Sequence, residues 1–245
     1  MSKKPGETGM QHATETRNAT DNPATIDTIA PGDERYAAAR STLYSLLSTW
    51  LRFPWEEFHE LAVAGELAPA ARECLAALPY DVEDLDRSLA DLEKVDPNYD
   101  EFQSAYVGLF DVGAGGPPCP LYGGHWVGDR QKVMEEALRF YRFFGLTTAA
   151  HEKDLPDHLA TELEFLHFLT FKELEALRGG GDTGSPRRAE RDFLVRHPVR
   201  WMPLALKKLG TIEVPPFWHA VMRLTAGYCK ADAAYLIATE GPLQD

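Results

Sequence analysis

The sequence predicts an all-α protein, a single globular multi-helix domain with a central buried helix at about 156–178. Three observations carry this. The stretch LPDHLATELEFLHFLTFKELEAL (155–177) sets Leu159, Leu163, Leu166, Thr170, Leu174 and Leu177 at spacings of three and four, one face of a helix. Phe165, Phe168 and Phe171 fill a second face and leave only Glu164, Lys172 and Glu175 as a polar strip, the pattern of a helix enclosed by others. No stretch alternates with period two for long enough to argue for a sheet.

The other elements follow in order. Residues 1–33 are rich in Thr, Asn, Asp, Gly and Pro and hold few large apolar groups, which predicts a disordered polar tail ahead of a helical domain over 34–245. A first helix is expected over 35–53, with Tyr36, Ala39, Leu43, Leu46, Leu47, Trp50 and Leu51 on one side and Pro54 ending it. Shorter helices are expected over 55–64, 69–78 and 82–95, then one over 97–110. The segment 111–128, DVGAGGPPCPLYGGHWVG, carries six glycines and three prolines and reads as a long loop. Its Leu121, Tyr122, His125 and Trp126 are large for a loop and suit a packed surface or a site. Asp129 caps a helix running to Phe144, stopped by Gly145. In the central helix Pro156 suits the first turn and Asp157 places a negative charge at the positive end of the dipole. A flexible hinge is expected at about 179–185, a basic exposed helix over 186–196, and two last helices over 197–209 and 215–238.

Composition narrows the function classes. The 245 residues carry 38 acids against 25 bases, a net charge of −13, which disfavours nucleic acid and anionic membrane as partners and is compatible with a basic peptide. Cys74, Cys119 and Cys229 are odd in number and far apart, with no CxxC, which points to a reducing compartment. No apolar run approaches the roughly 20 residues of a membrane span, and no apolar segment follows the N-terminal lysines, so a cytoplasmic protein without membrane insertion is expected. No phosphate loop, GxGxxG, GxSxG or HExxH is present, which leaves nucleotide binding and the common hydrolase chemistries without a motif.

The polar constellations are few. Asp157 beside His158 suits a recognition or relay pair, since a carboxylate next to an imidazole holds its tautomer; spacing alone favours a capping acid beside an incidental histidine. His158 and Glu162 share a helical face as a possible metal pair. Glu164 with His167 and Glu56 with His59 form two Glu-x-x-His patterns, which keeps a di-iron carboxylate bundle oxidase as an alternative. A generic helical interaction scaffold is a third reading. An aromatic loop, an acidic surface and a helix with an Asp-His start suit a peptide-binding module better than a catalyst.

Taken in order, these segments resemble the TorD/DmsD/NarJ family of redox-enzyme maturation chaperones. RYAAARSTLYSLLSTWLRFPWEEFHEL resembles the family's opening helix and proline, YVGLFDVGAGGPPCPLYGGHW its Tyr-x-x-Leu-Phe stretch and Pro/aromatic loop, and LPDHLATELEFLHFL its Pro-Asp-His and Glu-Leu signature. The resemblance implies an all-helical cytoplasmic protein that is not an enzyme, with no catalytic residue, no metal and no cofactor. Its partner would be the molybdenum-cofactor-containing catalytic subunit of an oxidoreductase, held by its twin-arginine leader peptide or N-terminal region until cofactor is inserted. The peptide-binding residues carried over are Pro156, Asp157 and His158 with Pro120, Leu121 and Tyr122; His125 and Trp126 join the expected site as their neighbours, as does Glu162, and the expected state is a monomer or a domain-swapped dimer. Gly123 and Gly124 stand where many members carry an acidic or serine residue; here they would let a peptide backbone approach closely. Asp157 would meet the leader arginines, and Leu121, Tyr122 and Trp126 would cover its apolar part.

Overall fold

A computed structural model describes residues 26, 29–113, 115–146 and 155–243. They form eleven α-helices: α1 (Asp33–Trp50), α2 (Glu56–Val63), α3 (Leu67–Ala76), α4 (Leu85–Leu92), α5 (Tyr99–Tyr106), α6 (Gly123–Val127), α7 (Arg130–Phe143), α8 (Leu159–Gly179), α9 (Gly184–Arg196), α10 (Pro198–Leu209) and α11 (Pro216–Glu240). Helix α5 runs on into a π-helical turn, Val107–Asp111. No strand forms among the described residues; one antiparallel bridge joins Tyr122 to His158.

The frame is the pair α1 and α8, which run along one another, with α9 and α11 packed beside them. Small residues make the approach possible: Ala37 and Ala38 of α1 are buried against Leu174 of α8. Leu43 and Leu47 of α1 and Leu163, Leu166 and Leu169 of α8 are fully buried. Each contributes about 1.5–3 kcal/mol of apolar burial. A second focus is aromatic, where Phe102, Tyr106 and Phe110 meet Phe217 and Trp218, with ring centroids 4.7 Å apart for Phe102 and Trp218.

Several expectations change. The polar tail lies mostly outside the described residues, and at its end Ile26 is buried, Ile29 packs against α1, and Asp33 already opens the first helix. Helix α8 starts at Leu159, not at Pro156. His158 is its N-cap, its Nδ1 accepting the Ala160 N–H at 3.3 Å, while 155–158 turns away to pair with another segment. The loop over 111–128 contains a short helix, because Gly123 and Gly124 pack where larger side chains would not fit. The break expected over 179–185 shrinks to 180–183: Gly180 takes a left-handed φ of 67°, and the Gly181 N–H closes α8 onto the Ala176 carbonyl at 2.7 Å. Helix α9 is not an exposed basic helix, since Arg187, Glu190 and Arg191 are buried. Phe171 is 43% exposed and so lies outside the core face of α8.

Candidate functional site

The residues singled out in the aromatic loop and at the start of α8 come together, although about 35 positions separate them in sequence. Backbone pairing does this. The Gly123 N–H donates to the Asp157 carbonyl and the Leu159 N–H to the Leu121 carbonyl, each at 2.8 Å, on either side of the Tyr122–His158 bridge. Asp157 adds a side-chain bond, with its Oδ2 accepting the Gly124 N–H at 3.0 Å. The assembly is tied down at its edges. Trp126 Nε1–H donates to the Pro120 carbonyl at 3.0 Å, and the Tyr141 hydroxyl donates to the Pro156 carbonyl at 2.7 Å.

Burial sorts these residues into two groups. Tyr122, Trp126 and Pro156 are half-buried and His125 is exposed, so they present a surface. Tyr122 meets the His158 ring edge-on at 5.0 Å and carries the Arg130 guanidinium over its own ring at 5.3 Å. Pro120, Leu121, Asp157, His158 and Glu162 face inward. Asp157 is 0% exposed and holds the loop from within, so in this arrangement its carboxylate does not reach the surface. The glycine pair behaves likewise. A Cβ on Gly124 would lie 2.7 Å from Arg130 Cα, and one on Gly123 would lie 3.0 Å from the Trp201 indole. The close approach these glycines permit is therefore made by the protein's own interior rather than by an incoming chain, which corrects the expectation drawn from sequence.

Beneath the loop sit residues the sequence did not point to. Trp201 Nε1–H donates to Glu162 Oε2 at 3.1 Å, and His197 Nδ1 lies 3.6 Å from Glu162 Oε1. Burial pushes the Glu162 carboxyl above the usual range; His197 and the Trp201 hydrogen bond pull it back, and Asp157 adds to the rise. The one available signal was the four-residue spacing of His197 and Trp201 around Pro198 at a helix start, and it says nothing about which helix they face.

A second buried polar cluster lies at the other end of α8. Arg40 of α1, fully enclosed, donates to Asp232 at 2.7 Å, to Glu173 at 2.7 Å and to Glu190 at 2.5 Å. Tyr44 and Tyr80 donate to Asp232, and Arg187 bridges Glu173 and Glu240. Burial pushes the Glu190 carboxyl up against the pull of Arg40, and Asp232 adds to the rise. The metal-type pairs do not converge: His59 Nε2 contacts the Asp96 carbonyl, Glu164 pairs with Arg52, and His167 sits against Ser41. Among the described residues no three His, Cys, Asp or Glu side chains are placed to share an ion.

Comparison with known proteins accords with this architecture. Residues 71–206, more than half of the chain, match the family model described as nitrate reductase delta subunit. The chain is 33% identical over 196 residues to the perchlorate reductase assembly chaperone protein of Dechloromonas aromatica, covering 79% of this chain and 88% of the relative. It is 34% identical over 227 residues to the dimethyl sulfide dehydrogenase assembly chaperone protein of Rhodovulum sulfidophilum, covering 86% and 87%. It is 40% identical over 131 residues to the chlorate reductase assembly chaperone protein of Ideonella dechloratans, covering 52% and 68%. The chain therefore belongs to the nitrate reductase delta subunit family and is a TorD-like assembly chaperone rather than an enzyme.

Proposed function

We propose that this chaperone holds the twin-arginine leader or N-terminal region of a molybdenum-cofactor oxidoreductase subunit in the cytoplasm and releases it once cofactor is inserted. The observation that supports this is the zipping of 120–124 onto 156–159, which leaves Tyr122, Trp126 and Pro156 half-buried and His125 exposed beside a base joined by backbone hydrogen bonds. Aromatic groups held this way offer apolar area with little ordering entropy left to lose. The leader is basic at its start and apolar behind, and the chain's net charge of −13 favours its approach. Leu121 and Asp157 shape the site from below, and Tyr122 and Trp126 cover the leader's apolar part. Reversible holding requires an affinity of about −8 to −10 kcal/mol, micromolar to submicromolar. The acting form is a monomer or a segment-exchanged dimer. No described helix is long and apolar enough to cross a membrane.

Titration calorimetry tests the reading, with a twin-arginine leader from a molybdoenzyme of the same organism and a scrambled peptide of equal charge as control. The leader is expected to bind selectively, and both Tyr122→Ala and Trp126→Ala are expected to weaken it in a protein whose circular dichroism is unchanged. Equal binding of both peptides would refute leader recognition, and unchanged affinity in the two variants would refute the site.

A further inference from the structure

Asp157, Glu162 and His197 are each at most 1% exposed, yet Asp157 Oδ1, Glu162 Oε1 and both ring nitrogens of His197 make no hydrogen bond among the described residues. Buried polar atoms are nearly always bonded, so several orphans in one place are a signal. They converge under one roof. Glu162 Oε1 is 3.6 Å from His197 Nδ1 and 3.4 Å from the point where a Cβ on Gly123 would stand, and Asp157 Oδ2 holds the neighbouring Gly124 N–H. No lysine or arginine is paired with either carboxylate among the described residues, whereas Arg40 meets all three acids of the other buried cluster. Two acids are thus enclosed with donors too few to satisfy them.

We propose that Asp157, Glu162, His197 and Trp201 form an interior pocket that receives a guanidinium side chain of the client leader when the turn at 122–124 lifts. This rests on the leader reading and extends it inward, to residues of α10. A guanidinium fits the set for a physical reason: its planar fork of five N–H donors engages two carboxylates at once, and a planar indole flanks the space. Lifting the turn breaks the Gly124–Asp157 bond and frees the second oxygen of Asp157 in the same motion. The titratable groups that act on Glu162 are Asp157 just ahead of its own helix, His197 from α10 and Cys229 from α11. Closed, the pocket strengthens the Glu162 carboxyl's hold on its proton, chiefly through burial. A guanidinium entering favours the ionised form, so the proton leaves to solvent and binding weakens as pH falls.

The test uses the full chain, its Glu162→Gln variant, and a leader peptide in twin-arginine and twin-lysine forms. The glutamine keeps an acceptor for Trp201 and removes the charge. Wild type is expected to prefer the arginine form by about tenfold and to release a proton on binding, measured by calorimetry in two buffers of different ionisation enthalpy. The Trp201 indole N–H resonance is expected to move. Glu162→Gln should lose the preference and the proton release while melting no lower than wild type. Unchanged affinity and preference in the variant, with a lower melting temperature, would show a purely structural acid and overturn the pocket. Agmatine alone, titrated against wild type, separates the two readings. If no leader binds selectively yet agmatine moves the Trp201 resonance in wild type and not in Glu162→Gln, the pocket stands and the leader reading fails. If agmatine moves nothing and a selectively bound leader leaves the Trp201 resonance unmoved, the pocket fails and the leader reading stands.

Discussion

The two ends of α8 each bury acids, and they do it differently. At the C-terminal end Glu173 belongs to a network in which Arg40 reaches three buried carboxyls, Arg187 adds a second bond to Glu173, and Tyr44 and Tyr80 both donate to Asp232, leaving Glu190 Oε1 as its one atom without a hydrogen bond among the described residues. At the N-terminal end Asp157 and Glu162 are equally enclosed, and among the described residues their hydrogen-bonding and charged neighbours are a backbone N–H, an indole and a histidine, with no arginine or lysine paired to either. A buried charge is tolerated when its partners are complete, and removing one partner is far more costly than never having had the pair. The first cluster is thus a device for joining α1, α8, α9 and α11. The second has three groups with unbonded atoms among the described residues, Asp157, Glu162 and His197, and it is the one proposed above to receive a partner's side chain.

This contrast can be broken or sharpened by substitution. The largest effect should come from Arg40→Met, which strands the Glu173, Glu190 and Asp232 carboxyls; a loss of about 3–5 kcal/mol in urea unfolding is expected. An intact midpoint would mean that the network contributes little. Next is Gly124→Ala. Its Cβ would stand 2.7 Å from backbone of Arg130, and the loop must move to accept it. A loss of about 1–3 kcal/mol is expected, together with weaker leader binding. Tyr122→Ala should leave the unfolding curve nearly unchanged and lower leader affinity about tenfold, ~1.4 kcal/mol, in calorimetry. The smallest effect has the opposite sign. A carboxyl pushed up in the folded state keeps a proton that the unfolded chain gives up, so its stability contribution is kept below about pH 4.3 and declines as pH rises above that value. Glu162→Gln removes the decline. The variant should be more stable than wild type at neutral pH by on the order of 1 kcal/mol, and the gap should close as pH falls toward the ordinary glutamate value.

Much of the fold was legible because helices announce themselves locally. The spacing of Leu159, Leu163 and Leu166 named the central helix, and Asp129 was rightly read as a cap, its Oδ1 accepting the Lys132 N–H at 3.1 Å. What the sequence hid depends on distant partners. The Pro-Asp-His segment looked like a first helical turn, but it forms a separate turn closed by the His158 N–H on the Leu155 carbonyl; pairing with Leu121 and Gly123 then holds His158 extended and moves the helix start to Leu159. Helix α9 looked like a solvated basic helix, because nothing local shows that Glu173 and Glu240 wait for Arg187. Arg40 carried a readable hint, an arginine three and four places from Ala37 and Tyr44 on the buried face of α1. The residues of the candidate site were legible as a group, and their division into surface and interior was not. That division follows from the bridge between Tyr122 and His158, which no local pattern encodes.

The most direct test of the account is hydrogen exchange on the full chain with and without the twin-arginine leader peptide. The peptide is expected to change exchange at 120–126 and 155–162 and to leave 187–191, beside the arginine-paired cluster, untouched. Changes confined to 187–191, or spread evenly over the helices, would contradict it.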